Sequence, residues 1–201
     1  MRKRTLPVLH NARRDEDGVT AVEFAMVAPV FMVMLLGIFD FGFHLYAQSV
    51  LQGSLQTAAR GSTLEAGTST ADDLDEYVRR SVNSVVPRAD ITFSRRNYQN
   101  FEDVARPEDF SDTNGDGTCN DGEPFEDVNG NGSWDQDRGR DGLGGARDAV
   151  LYSAVAEYPR LFPLHNFIDV PPQVRIEGAT VLRNQPYSEQ GAREPEVENC
   201  T

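Results

Sequence analysis

Residues 18–47 read GVTAVEFAMVAPVFMVMLLGIFDFGFHLYA, and the uninterrupted apolar run inside this stretch, from Phe24 to Phe39, decides the architecture. As a helix, Phe24 to Ala47 spans roughly 35 Å, enough to cross a hydrocarbon core about 30 Å thick. Only Asp40 and His44 break the apolar character before Ala47. A buried core helix is the competing reading, but the remainder of the 201-residue chain is too small and polar to wrap such a helix on all sides. A cleaved secretory signal would carry a shorter apolar region ending in a small-residue site, whereas this chain continues as FDFGFHLYAQSVLQ. The stretch therefore predicts one membrane span.

Charge gives the span a direction. Arg2, Lys3, Arg4, Arg13 and Arg14 precede it against three acids, while the chain beyond Ala47 carries the acidic excess behind the net charge of −13. Basic residues flank only the N-terminal side, so residues 1–18 are expected in the cytoplasm and the acidic bulk outside, in a single-pass protein of the cytoplasmic (inner) membrane. An acidic bulk without clustered Lys and Arg excludes a nucleic-acid partner and suits cations instead.

An ionisable group in a membrane helix marks a function by default. Asp40 falls near the outer headgroups and is expected there as a solvated border residue. Glu23 lies at the other end, in the context Gly18-Val19-Thr20-Ala21-Val22-Glu23-Phe24. A glycine, four mostly small or apolar residues, and then Glu-Phe opening an apolar helix resembles the processing site of type IVb prepilins and of pseudopilins of the tight-adherence (Tad) system. The resemblance implies that a prepilin peptidase cuts after Gly18, leaving Val19 as the new N-terminus and Glu23 as its fifth residue. It also implies that Glu23, beside Phe24, pairs with the new amine of a neighbouring subunit during assembly.

The wider stretch from Asp15 to Arg60 is similar to the TadE-like family: Pro29 stands in the helix, Phe41-Gly42 follows it, and Ala58-Ala59-Arg60 ends it. The later GATVLRNQPY resembles the Arg-Asn-Glu-Pro ending of that family, with Gln185 in place of Glu. What the resemblance implies is a pseudopilin, or minor pilin, that assists assembly of an adhesive Flp/Tad pilus with other Tad components. Pro29 is expected to kink the helix or loosen one turn.

Beyond the membrane, Leu51, Leu55 and Ala58 recur at helical spacing, so the first helix should run on to about Gly61. A second helix, capped by Ser69 or Thr70, should stop before Pro87, with Leu74, Val78 and Val82 on its packing face. Strand signals follow at 90–98, 149–158 and 174–184. The expected fold class is α+β: a long, pilin-like transmembrane helix continuing into a small exported domain with a second helix and a three- to four-stranded antiparallel sheet. The segments are a basic leader (1–18), the span (19–47), helices and first strand (48–106), an acidic Gly/Asn/Asp-rich region (107–148) and C-terminal strands with a tail (149–201). Between the last two strands, PRLFPLHNFIDVPP is a Pro-bounded apolar loop, open to local packing or to a membrane-surface or partner contact.

Residues 112–123, DTNGDGTCNDGE, fit the calcium-loop spacing. Asp112, Asn114 and Asp116 would offer side-chain oxygens, Gly117 the sharp turn, Thr118 its carbonyl, Asn120 a direct or water-borne contact, and Glu123 two oxygens, as calcium's six to eight ligands require. A second copy begins at Asp127, with Asn129, Asn131, Gly132, Ser133 and Asp135 in matching places. Its twelfth place is Arg138, so the two-oxygen acid is missing, although Asp137 stands one residue short of it. The second site is expected to be weaker. Pro124 follows the first loop directly and disfavours helix at Glu123, so these would be loops without EF-hand helices. A solvated turn segment is the plain alternative. Cys119 and Cys200 share one compartment, and if it is oxidising they would tie the tail to the first loop, although spacing alone does not prove the pairing.

No phosphate loop, nucleophile motif or His-centred constellation appears; His10, His44 and His165 stand apart in sequence. Neither an enzyme nor a small-molecule substrate is expected. The alternative to the pseudopilin is an uncleaved single-pass envelope protein whose calcium-stabilised domain binds a partner.

Overall fold

The computed structural model describes residues 16–64, 71–185, 191 and 193–201. The leader bases, the capping residues Ser69 and Thr70, and Pro186 and Tyr187 of the tail motif lie outside the described residues. Helix α1 runs from Glu16 to Leu64 and continues through Pro29 without a break in its assignment. Proline removes one N–H from the ladder, and the bonds on either side carry the helix past it. Helix α2 spans Ala71–Asn83, with Asp72 and Asp73 in the first turn and Arg80 in the last, charges that suit the helix dipole. The strands are β1 (Asp90–Tyr98), β2 (Pro124–Asp127), β3 (Arg140–Asp141), β4 (Ala149–Pro159), β5 (Gln173–Arg183) and β6 (Glu196–Asn199). The class is α+β, with a four-stranded antiparallel sheet in the order β3-β1-β4-β5 and a separate two-stranded sheet of β2 and β6.

The chain divides into two compact units. One comprises residues up to His44 together with Pro159–Pro172; the other comprises Leu45–Tyr158 and Gln173–Thr201. In the first, the apolar helix is long enough to cross a membrane, and none of its most apolar window is buried. Asp40 is the exception to this exposure and corrects the sequence expectation. It is 6% exposed and forms an ion pair with Arg160, rather than standing in solvent. The partner lies 120 positions away, beyond the reach of any local pattern.

In the second unit Leu51 and Leu55 of α1, Leu74, Val78 and Val82 of α2, and Ile91, Tyr152, Ala154 and Ile176 of the sheet form the core. Strand β1 pairs with β4 antiparallel from Asp90↔Glu157 to Tyr98↔Ala149. Side-chain alternation places Val174 and Ile176 inward from β5 while Gln173, Arg175 and Glu177 stay exposed. At Gly178 a Cβ would lie 2.7 Å from Leu55 Cδ1, so a side chain there would push α1 off β5. Gln52 of α1 donates to the Ala179 carbonyl at 2.9 Å, locking the same contact. Helix α2 is tied down by Asp75, which accepts from Arg95 of β1 and from the Tyr152 hydroxyl of β4.

Candidate functional site

Gly18 and Val19 lie in the first turn of α1, and Glu23 and Phe24 follow on exposed positions. A protease needs this segment extended. Glycine disfavours helix, so Gly18 lowers the cost of opening the chain there.

The acidic region is built around β2. Strand β2 pairs antiparallel with the tail strand β6, in the register Pro124↔Asn199 to Asp127↔Glu196. Phe110 bridges Phe125 on the other edge, and the Ser111 and Glu126 N–H groups donate to the Pro124 and Asp109 carbonyls, both at 2.9 Å. Phe125 is buried, and Phe110 packs edge-on to Trp134 with ring centres 5.6 Å apart. Beyond β6, Cys200 N–H donates to the Glu123 carbonyl at 2.8 Å, and Cys200 joins Cys119 in a disulfide with Cα atoms 5.5 Å apart. One short strand thus separates two loops and is held by the tail on one side and by residues 109–111 on the other.

In the first loop, Asp112 accepts from the N–H groups of Gly115, Asp116 and Gly117 at 2.6, 3.2 and 2.9 Å. Glu123, only 2% exposed, accepts from the N–H groups of Thr113, Asn114 and Asn120 at 2.6, 3.2 and 3.4 Å. Burial pushes the Glu123 carboxyl up, but the Thr113 and Asn114 donors outweigh it and hold it below the usual range. The Asn120 amide, with the Thr118 N–H, lowers Asp116 in the same way.

The second loop repeats these contacts. Asp127 accepts from Gly130, Asn131 and Gly132 N–H groups at 2.6, 3.2 and 2.8 Å. The place of Glu123, however, is taken by Glu108, which lies upstream of both loops. Glu108 accepts from Val128 and Asn129 N–H through one oxygen, at 2.8 and 3.3 Å, and from Asp135 N–H through the other at 3.0 Å. These are the second, third and ninth positions of the loop, as Thr113, Asn114 and Asn120 are of the first.

Asp137, the nearest acid by sequence, is not a stand-in. Its carboxylate accepts from the Tyr98 hydroxyl and pairs with Arg96 at 2.9 Å. Burial, and then the bond to Asp137, push the Tyr98 hydroxyl well above its ordinary value. Arg138, in the twelfth place, turns away to the Pro107 carbonyl and Asp109.

Asp112, Asn114, Asp116 and Asn120 are thus brought together, as are Asp127, Asn129, Asn131 and Asp135; the Thr118 and Ser133 N–H groups bond to Asp116 and Asn131. Among the described residues, no three His, Cys, Asp or Glu side chains form a metal-holding group. Amide nitrogens occupy the space between the acids: Asn114 and Asn120 donate to Asp116, and Asn129 and Asn131 donate to Asp135. The donor set is all oxygen and suits a hard cation, which would have to displace these amide N–H groups.

Among the described residues, these features define one span-length apolar helix and an α+β domain carrying paired acidic loops. Residues 18–60 match the family model of TadE-like protein, and the match begins at Gly18. No curated protein and no solved structure matches the chain. The matched segment contains the apolar helix, whose length and composition suffice to cross a membrane.

Proposed function

We propose that this chain is a pseudopilin of the Tad system, a structural part and not an enzyme. It is anchored in the cytoplasmic membrane with its N-terminus inside, cut after Gly18 by a prepilin peptidase, and engaged in starting or supporting an adhesive Flp-type pilus. The observation that carries the reading is the TadE-like match, which opens on Gly18 and takes in Glu23, Phe24 and the apolar helix. A carboxylate at the border of the span is costly unless paired, and a free Val19 amine on a neighbouring subunit supplies the opposite charge. Mass spectrometry of the mature protein should find Val19 first; an intact leader would refute cleavage. Glu23→Ala should abolish pili while leaving cleavage largely intact.

The exported part, in this proposal, binds calcium at both loops, and Glu108 gives the second the carboxylate that its own sequence lacks. What supports this is the repeated donor arrangement, Glu123 in one loop and Glu108 in the other. Calorimetric titration of the full chain in detergent should give two binding events in the range of about 10⁻⁴ to 10⁻³ M. Glu123→Gln should remove one event and Glu108→Gln the other; absence of heat in the wild type at millimolar calcium would refute the proposal.

A further inference from the structure

The loop 159–172 belongs to the same compact unit as the membrane-length helix, not to the unit that holds the rest of the sheet. Arg160 fixes it there. Its N–H donates to the Pro172 carbonyl at 3.0 Å and its guanidinium to the Pro171 carbonyl at 2.6 Å, closing the loop's base, while the same guanidinium pairs with Asp40.

Asp40 marks a definite depth. About 20 helical residues fill a hydrocarbon core, and counted from Val19 they end next to Asp40. Gly37, Leu36 and Val33, on the same face of the helix as Asp40, are half-buried, while most of residues 29–39 are exposed. The loop itself exposes Leu161 (58%), Phe167 (64%) and Ile168 (45%), with only Leu164 buried beneath them. His165, Asn166 and Asp169 give it a polar edge.

Three large apolar side chains are exposed on a loop that shares a compact unit with the exposed apolar helix and is pinned to it at Asp40, and they call for an apolar cover. We infer that residues 161–168 form a second membrane contact, with Leu161, Phe167 and Ile168 in the outer-leaflet interface at the level of Asp40 and the occupant being lipid. The inference rests on the membrane-anchor reading of α1. The Asp40–Arg160 pair then sets the depth of the loop, its charges neutralised where the headgroups begin.

The test uses the full chain in bilayer nanodiscs whose lipids carry bromine high on the acyl chain. Phe167→Trp and, as a reference at the same depth on α1, Phe39→Trp are each read against the wild type, whose single tryptophan, Trp134, is common background. The emission added by Phe167→Trp should be lost in brominated lipid to the same degree as that added by Phe39→Trp. Quenching of Phe39→Trp alone overturns the inference and leaves the anchor standing; quenching of neither overturns both. If Phe167→Trp does not fold, the wild type with a photoactivatable lipid decides. Adducts within 161–168 support the contact, and adducts confined to α1 overturn it.

Discussion

The loops 112–123 and 127–138 share a backbone and differ in how they are closed. Gly115 and Gly130 have φ of 78° and 79°, and Gly117 and Gly132 both have 76°, so the chain makes the same turns twice. Asp112 and Asp127 gather the same three amides. The closing carboxylate comes from inside the first loop and from outside the second. The first is therefore a local ring whose residues 111–118 are all exposed, and what joins it to the rest is the disulfide and the β2–β6 pairing. The second cannot close until residues 108–111 have docked along β2, and its Asp127, Val128, Asn129 and Asp135 are buried or half-buried. An identical turn can thus be an autonomous element or a product of tertiary assembly, depending on one carboxylate.

The largest effect should come from cutting the tether of the first loop. The disulfide closes a separation of 81 residues, which in the chain-entropy description contributes about 4.5 kcal/mol. Urea unfolding of the full chain in detergent, with and without reductant, measures it. Hydrogen exchange should show the amides of 113–117 losing protection on reduction while those of 128–132 keep theirs. Equal loss in both would mean that the loops are one cooperative unit.

Glu108→Ala strikes the other loop. It leaves the Val128, Asn129 and Asp135 N–H groups without an acceptor in a half-buried setting, for about 2–4 kcal/mol. Glu123→Ala removes the equivalent acceptor but exposes most of its donors to water, so it should cost less. Unfolding midpoints at equal slope compare the two, and a costlier Glu123→Ala would reverse the comparison.

The same contrast explains what could be read from the sequence. Helices α1 and α2 and strands β1, β4 and β5 were legible because each carries its own periodicity, as in the stripe Leu74, Val78, Val82. The first loop was legible because the residues it brings together, from Asp112 to Glu123, lie within twelve positions. The role of Glu108 was not, because no spacing rule ties a residue before the first loop to the second; the link is the bridge between Phe110 and Phe125. Asp137 was the nearest acid by number, but Tyr98 and Arg96 hold it elsewhere. Strands β2 and β6 were missed for a similar reason. EVEN is exposed throughout, without the alternation of a half-buried strand, and only its partner and the neighbouring disulfide define it.

The smallest effect tests whether the two backbones are truly alike. At Gly117 and Gly132 a Cβ would meet no atom within 4 Å, so an alanine there adds no clash in either loop. What remains is the left-handed conformation itself, which costs an L-residue roughly 1–2 kcal/mol. Gly117→Ala and Gly132→Ala should therefore lower stability by equal amounts, although one loop is exposed and the other half-buried. Burial sets the cost of losing a carboxylate because water replaces its bonds in one loop and not in the other, whereas water cannot relieve a torsional penalty. Thermal or urea unfolding of the two variants checks this. A clear inequality would mean that the shared φ values conceal different freedom to relax, with the loop that pays less being the one able to open.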